Sequence, residues 1–115
     1  MKKVALFTFN TDPVAFAHAL LNAIEMRAKG WDAKVVIEGD SVKFVSLLRN
    51  ETKPFADVWR RARDTGAIDC VCKACARKAG VEPAAIEQDL MLCSEMNGHP
   101  SMARFMEQGY EVVVV

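Results

Sequence analysis

The sequence predicts a three-layer α/β/α fold built on a mainly parallel five-stranded sheet. Three observations carry this expectation. Apolar runs of strand length alternate with stretches of helical periodicity along the whole chain. Those runs are nearly continuous in apolar residues, as in strands covered on both faces. Gly and Pro stand between the elements, where helices start and stop.

The elements follow in order. Val4 to Phe9 reads as a buried first strand. Thr11-Asp12-Pro13 then supplies a capping side chain and a Pro at the first helical position. Val14, Ala17, Leu21, Ile24 and Ala28 repeat at spacings of three and four. Phe16, Leu20 and Ala23 make a second stripe beside them. Gly30 stops this helix. Ala33 to Ile37 is the second strand, and the Gly39-Asp40-Ser41 turn opens a helix reaching Leu48. Thr52-Lys53-Pro54 is expected to start a helix ending near Thr65. Ala67 to Val71 is the third strand, and Cys72 to Ala79 a short helix closed by Gly80. Pro83 to Gln88 adds a helical turn, and Leu90 to Ser94 a weaker fourth strand. Pro100 to Gln108 is the last helix, with Met102, Phe105 and Met106 facing inward. Glu111 to Val115 is the fifth strand. No internal repeat or linker interrupts the pattern, so residues 1–115 read as one domain.

The chain has 115 residues and is 51% hydrophobic. That length supports a core without disulfide or metal staples. Fifteen basic residues balance fifteen acidic ones, so composition gives no reason to expect nucleic acid or anionic lipid as a partner. The basic cluster "WRRAR" at residues 59–63 reads as a solvated helix face. The opening apolar run is too short for a secretory leader or a membrane span. A cytoplasmic protein is expected, without membrane association. In that compartment, clustered cysteines point to chemistry or metal more than to structural disulfides.

"IDCVCKACARKAGV", residues 68–81, holds three of the four cysteines. In open parallel sheets, functional groups sit beyond the carboxyl ends of the strands. Cys72 falls there, where the third strand hands over to a helix. Helix N–H groups, the helix dipole, Lys73 and Arg77 are expected to lower its pKa and favour the thiolate. Cys75 lies one turn further, completing a Cys-x-x-Cys pair suited to nucleophile and resolving-thiol chemistry. Cys70 shares a strand face with Cys72, and Cys93 lies in the fourth strand. Both read as small buried hydrophobes, with an auxiliary role left open. His99, in "NGHPS" before the last helix, reads as a loop or capping residue that could also shuttle protons. Four cysteines allow a metal reading through Cys70, Cys72, Cys75 and Cys93, but there is no second Cys-x-x-Cys. Neither a metal nor a cofactor is expected, and no glycine-rich phosphate loop is present.

The chain resembles the DsrE/DsrF-like sulfur-relay proteins, which include TusD-type persulfide carriers. The likeness rests on the "MKKVALFTF" opening strand, the "GDSVKFV" turn and helix, the strand-to-helix segment "IDCVCKACARKAGV" and the closing "GYEVVVV". In that family a strand ends in a cysteine, with Gly-Val eight and nine positions later. Here these are Cys72, Gly80 and Val81. The resemblance implies a flavodoxin-like or Rossmann-like sheet and a persulfide on Cys72, with Cys75 as second thiol. It also implies a homo-oligomer (dimer, trimer or hexamer) that exchanges sulfur with donor and acceptor proteins or small persulfides. Two other functions fit the residues: a thiol redox or metal-binding module, and a non-catalytic subunit of an oligomeric assembly.

Overall fold

The computed structural model describes residues 1–115. Its elements are β1 (Lys3–Thr8), α1 (Pro13–Ala28), β2 (Asp32–Ile37), a 3-10 turn (Gly39–Val42) leading into α2 (Lys43–Leu47), and α3 (Ala56–Asp64). There follow β3 (Ile68–Cys72), α4 (Lys73–Ala79), α5 (Glu82–Glu87), β4 (Leu92–Cys93), α6 (Met102–Glu107) and β5 (Glu111–Val114). The five strands form one sheet in the order β4-β3-β2-β1-β5. Every pairing is parallel.

The sheet's two faces are unequal. One face packs a large core, in which Phe16 of α1 stacks on Phe44 at 4.6 Å between ring centroids. Trp59 of α3 is buried in the same core, and its indole Nε1–H donates to Gln88 Oε1 at 2.9 Å. The other face carries a smaller core in which Phe105 of α6 meets Phe7 and Tyr110 edge to face. Around it the sheet is polar. Tyr110 donates its hydroxyl to Asp32 Oδ2 at 2.5 Å, and Asp69 pairs with Lys34 and Arg104.

The structure decides one point that the sequence leaves open and changes three local expectations. On α1 it is the Phe16, Leu20, Ala23 stripe that packs inward. Val14 and Leu21, on the other stripe, are 46% and 40% exposed. The third helix starts at Ala56, after Phe55 in a left-handed conformation at φ 70°. Thr52 does not cap it, because its N–H and hydroxyl both bond to the Asn50 side chain. The fourth strand pairs over only Leu92 and Cys93, as an edge beside β3. Met106 is 57% exposed and not inward, because the short α6 presents mainly Phe105 to the sheet. No helix is long and apolar enough to cross a membrane.

Candidate functional site

Cys72 is the last residue of β3 and the N-cap of α4. Its sulfur plays the part that Ser or Asp usually plays at a helix start, accepting the Cys75 N–H at 3.4 Å. Ile37 and Val71 are paired across β2 and β3. That register sets Glu38, the residue after β2, beside Cys72 at the carboxyl end of the sheet.

His99 arrives from the other side. Met96 and His99 exchange two backbone hydrogen bonds of 2.9 Å each. Between them Asn97 has φ 51° and Gly98 φ 88°, the two positive values of a type I′ turn, for which Asn-Gly is the favoured pair. The turn docks on α4: the Ala74 N–H donates to the Gly98 carbonyl at 2.9 Å. A Cβ on Gly98 would stand 3.1 Å from the Ala74 Cβ, so the close approach needs glycine. Just before the turn, Glu95 reaches across it to accept the Ser101 N–H at 3.1 Å and Arg104 Nε–H at 2.9 Å, holding the start of α6.

These placements converge on one ring nitrogen. His99 Nδ1 lies 3.2 Å from Cys72 Sγ, 3.9 Å from Cys75 Sγ and 4.0 Å from Glu38 Oε1. The Cys72 thiol also has the Gly98 carbonyl at 3.7 Å. Cys72 has 0% exposure, while Cys75 is half-buried. Cys75 opens onto a groove lined by Thr11, Asp40, Lys43 and Lys78. His99 and Glu38 line a second, more apolar groove with Phe9, Met96 and Met102. Cys72 lines neither groove; its neighbours in them are Cys75 and His99.

The electrostatics reverse the expectation of a lowered thiol pKa. Burial pushes the Cys72 thiol up to about 12, with the hydrogen bond and charge of Cys75 and the charge of Glu38 adding to it. Only the Cys75 backbone N–H acts the other way. Loss of hydration outweighs a helix end of seven residues. Nor is Arg77 turned to the sulfur, since it pairs with Glu82 at 2.8 Å. Burial likewise raises the Glu38 carboxyl above its usual range, a shift that His99 partly offsets. A proton leaving Cys72 has an acceptor in hydrogen-bond reach, His99 Nδ1, and the imidazolium so formed would be steadied by Glu38.

Cys70 and Cys93 are buried, as small hydrophobes would be, but they are not separate. They form a disulfide with Cα atoms 5.7 Å apart. This corrects the reading of both as free thiols and removes them from the four-cysteine metal set. The register of β3 and β4 places Cys93 next to Cys72, close enough for the Cys70 side chain on the same face to reach it. The cluster able to hold a metal is instead Cys72, Cys75 and His99, whose ligand atoms all lie within 4.8 Å of one another. Glu38 is not among the residues singled out from the sequence. Its position at the carboxyl end of a central strand was the signal that could have found it.

The DsrE/DsrF-like family model matches residues 1–115. An uncharacterized protein of Methanocaldococcus jannaschii is 30% identical over 96 residues, covering 84% of this chain and 76% of that protein. An uncharacterized protein of Archaeoglobus fulgidus is 45% identical over 38 residues, covering 33% of this chain and 62% of that one. A conserved protein of unknown function from Bacteroides thetaiotaomicron superposes with a TM-score of 0.67 at 16% identity, covering 98% of this chain and 95% of that structure. This last likeness speaks to the fold.

Proposed function

From the premise that this chain belongs to the DsrE/DsrF-like family, we propose that it is a sulfur-transfer protein that carries sulfane sulfur as a persulfide on Cys72. The observation that carries the reading is the contact between Cys72 Sγ and His99 Nδ1 at 3.2 Å, with Cys75 one helical turn away. A thiol whose pKa is not lowered can be activated by a base within hydrogen-bond reach, and here an imidazole stands against the fully buried thiol of Cys72. His99 takes the Cys72 proton. The thiolate attacks the outer sulfur of a donor R–S–SH, the S–S bond of the donor breaks, and R–S⁻ leaves with the proton from His99. The product is Cys72–S–SH. An acceptor thiolate then removes the outer sulfur. Alternatively, the Cys75 thiolate attacks Cys72 Sγ, expels HS⁻ and closes a Cys72–Cys75 disulfide, which a dithiol reductant reopens.

In this reading the protein works in the cytoplasm with sulfur donor and acceptor proteins or small persulfides. It assembles as a homo-oligomer, and the exposed Val14 and Leu21 side chains of α1 supply apolar surface for that contact. A thiol redox module is the second reading, favoured by the closeness of the two free cysteines. Peptide mass mapping after reaction with a low-molecular-weight persulfide separates the two. Sulfur transfer adds one sulfur atom to the peptide bearing Cys72, whereas a redox module only loses two hydrogens there.

A further inference from the structure

The geometry points to a cation site: we infer that Cys72, Cys75 and His99 bind a thiophilic d10 cation of the zinc class. The sequence expectation was of no metal, and its alternative set of four cysteines is closed off because Cys70 and Cys93 are bonded to each other. What replaces it is a Cys₂His set gathered from α4 and the turn at residues 96–99.

The distances suit one ion. Zinc bonds of about 2.3 Å to sulfur and 2.0–2.1 Å to nitrogen, at tetrahedral angles, require sulfur-to-nitrogen edges of about 3.5 Å. The two edges here are 3.2 and 3.9 Å, both to Nδ1 of His99. Both sulfur-to-nitrogen edges come within a few tenths of an ångström of that value, and all three ligand atoms lie within 4.8 Å of one another. Because both thiols face the same nitrogen, coordination uses Nδ1 and leaves the proton on Nε2. Two sulfurs and an imidazole select zinc, cadmium or copper(I) over magnesium and calcium, which prefer oxygen.

The surroundings fit as well. The Cys75 N–H already points at Cys72 Sγ, the kind of outer hydrogen bond that steadies a metal thiolate. Binding a divalent ion releases two protons, one from each thiol, with no change of oxidation state. Two thiolates cancel the ion's charge, so the filled centre is neutral around a sulfur that has 0% exposure. The set supplies three protein ligands, the number found at catalytic rather than structural zinc sites.

The test is anaerobic titration of the full chain with cadmium(II), reading the thiolate-to-metal charge-transfer absorption. One equivalent should saturate the signal. Cys72→Ser and Cys75→Ser should each remove most of it. His99→Ala should weaken binding at least tenfold, and a Cys70→Ala/Cys93→Ala variant should keep the signal. X-ray absorption of the wild-type zinc complex, which needs no variant to fold, should give two sulfur and one nitrogen neighbours. Absence of the signal, its survival unchanged in Cys72→Ser, its loss in Cys70→Ala/Cys93→Ala, or a four-sulfur shell would each overturn the proposal. None of these readouts uses sulfur transfer, so the outcome stands apart from that function.

Discussion

Cys72 Sγ and His99 Nδ1 lie 3.2 Å apart across 27 residues of sequence. Neither residue comes near the other by local structure. The parallel sheet delivers Cys72 to the end of β3, and the Asn97-Gly98 turn folds His99 back over it. If His99 accepts the Cys72 proton, its removal costs what a positioned base contributes, on the order of 10²-fold in rate or more. His99→Ala should therefore slow persulfide formation about 10²-fold at neutral pH, measured as the initial rate of sulfur gain by intact mass. A rate within twofold of wild type would show that another group takes the proton.

The two free thiols should differ in the opposite order from a simple helix-start argument. Cys72 has 0% exposure and its thiol is pushed up to about 12 by burial, Cys75 and Glu38. Only the thiolate is alkylated, and below the pKa its fraction grows tenfold with each pH unit. Iodoacetamide at neutral pH should label Cys75 well before Cys72, and Cys72 labelling should climb steadily as the pH is raised into the alkaline range. Quantitative peptide mapping across a pH series checks both statements. Faster labelling of Cys72 at neutral pH would contradict them.

Gly98 is the hinge of this arrangement. Its φ is 88°, and a Cβ there would crowd Ala74 at 3.1 Å. Gly98→Ala should cost about 1–3 kcal/mol, the usual cost of a residue held in a sparsely populated backbone region. It should also push the His99 turn off α4. The expected pair of results is a lowered denaturation midpoint and faster Cys72 alkylation, because the lid over the thiol is displaced. Unchanged alkylation would mean that the turn does not shield Cys72.

Glu95 ties β4 to the start of α6. Burial raises its carboxyl, but the Ser101 N–H, its own backbone N–H and Arg104 outweigh that and hold it below the usual carboxylate range. A lowered folded pKa means stability that is present above the unfolded pKa and lost as pH falls through the folded one. The Glu95 and Arg104 side chains are partly open to solvent and screened, so Glu95→Gln should destabilise only by a few tenths of a kcal/mol, up to about 1, at neutral pH. The difference should shrink as the pH drops below the ordinary carboxylate range. Thermal melts of the two proteins at neutral and acid pH check this, and a difference that grows on acidification would contradict it.

Much of this architecture was legible because its signals are local. Asp12-Pro13 starts α1, and Asp12 does accept the Val14 N–H at 2.9 Å. The apolar run into Cys72 ends β3 where Lys73 begins α4. The Asn-Gly pair before His99 was equally local, yet its consequence was not, because nothing in a turn says what it will fold against. Long-range facts were hidden for the same reason. Periodicity supplied two adjacent stripes on α1, but Phe44 and Trp59, from other elements, decide that the Phe16 stripe is the buried one. The Cys70–Cys93 bond depends on an edge strand of two residues. The Cys72 pKa turns on burial, which a helix-dipole argument does not contain. Glu38 carries no distinguishing signal of its own until the sheet order sets β2 beside β3.

Sulfane sulfur resting on Cys72 is tested by locating where the added sulfur lands. Wild type, Cys72→Ser and Cys75→Ala are each reacted with a low-molecular-weight persulfide and digested under non-reducing conditions. The added sulfur atom is then located by peptide mass spectrometry. The expected result is one sulfur on Cys72 in wild type, loading kept but discharge slowed in Cys75→Ala, and no stable loading in Cys72→Ser. Normal loading of Cys72→Ser, or sulfur mapped to Cys70 or Cys93, would contradict it.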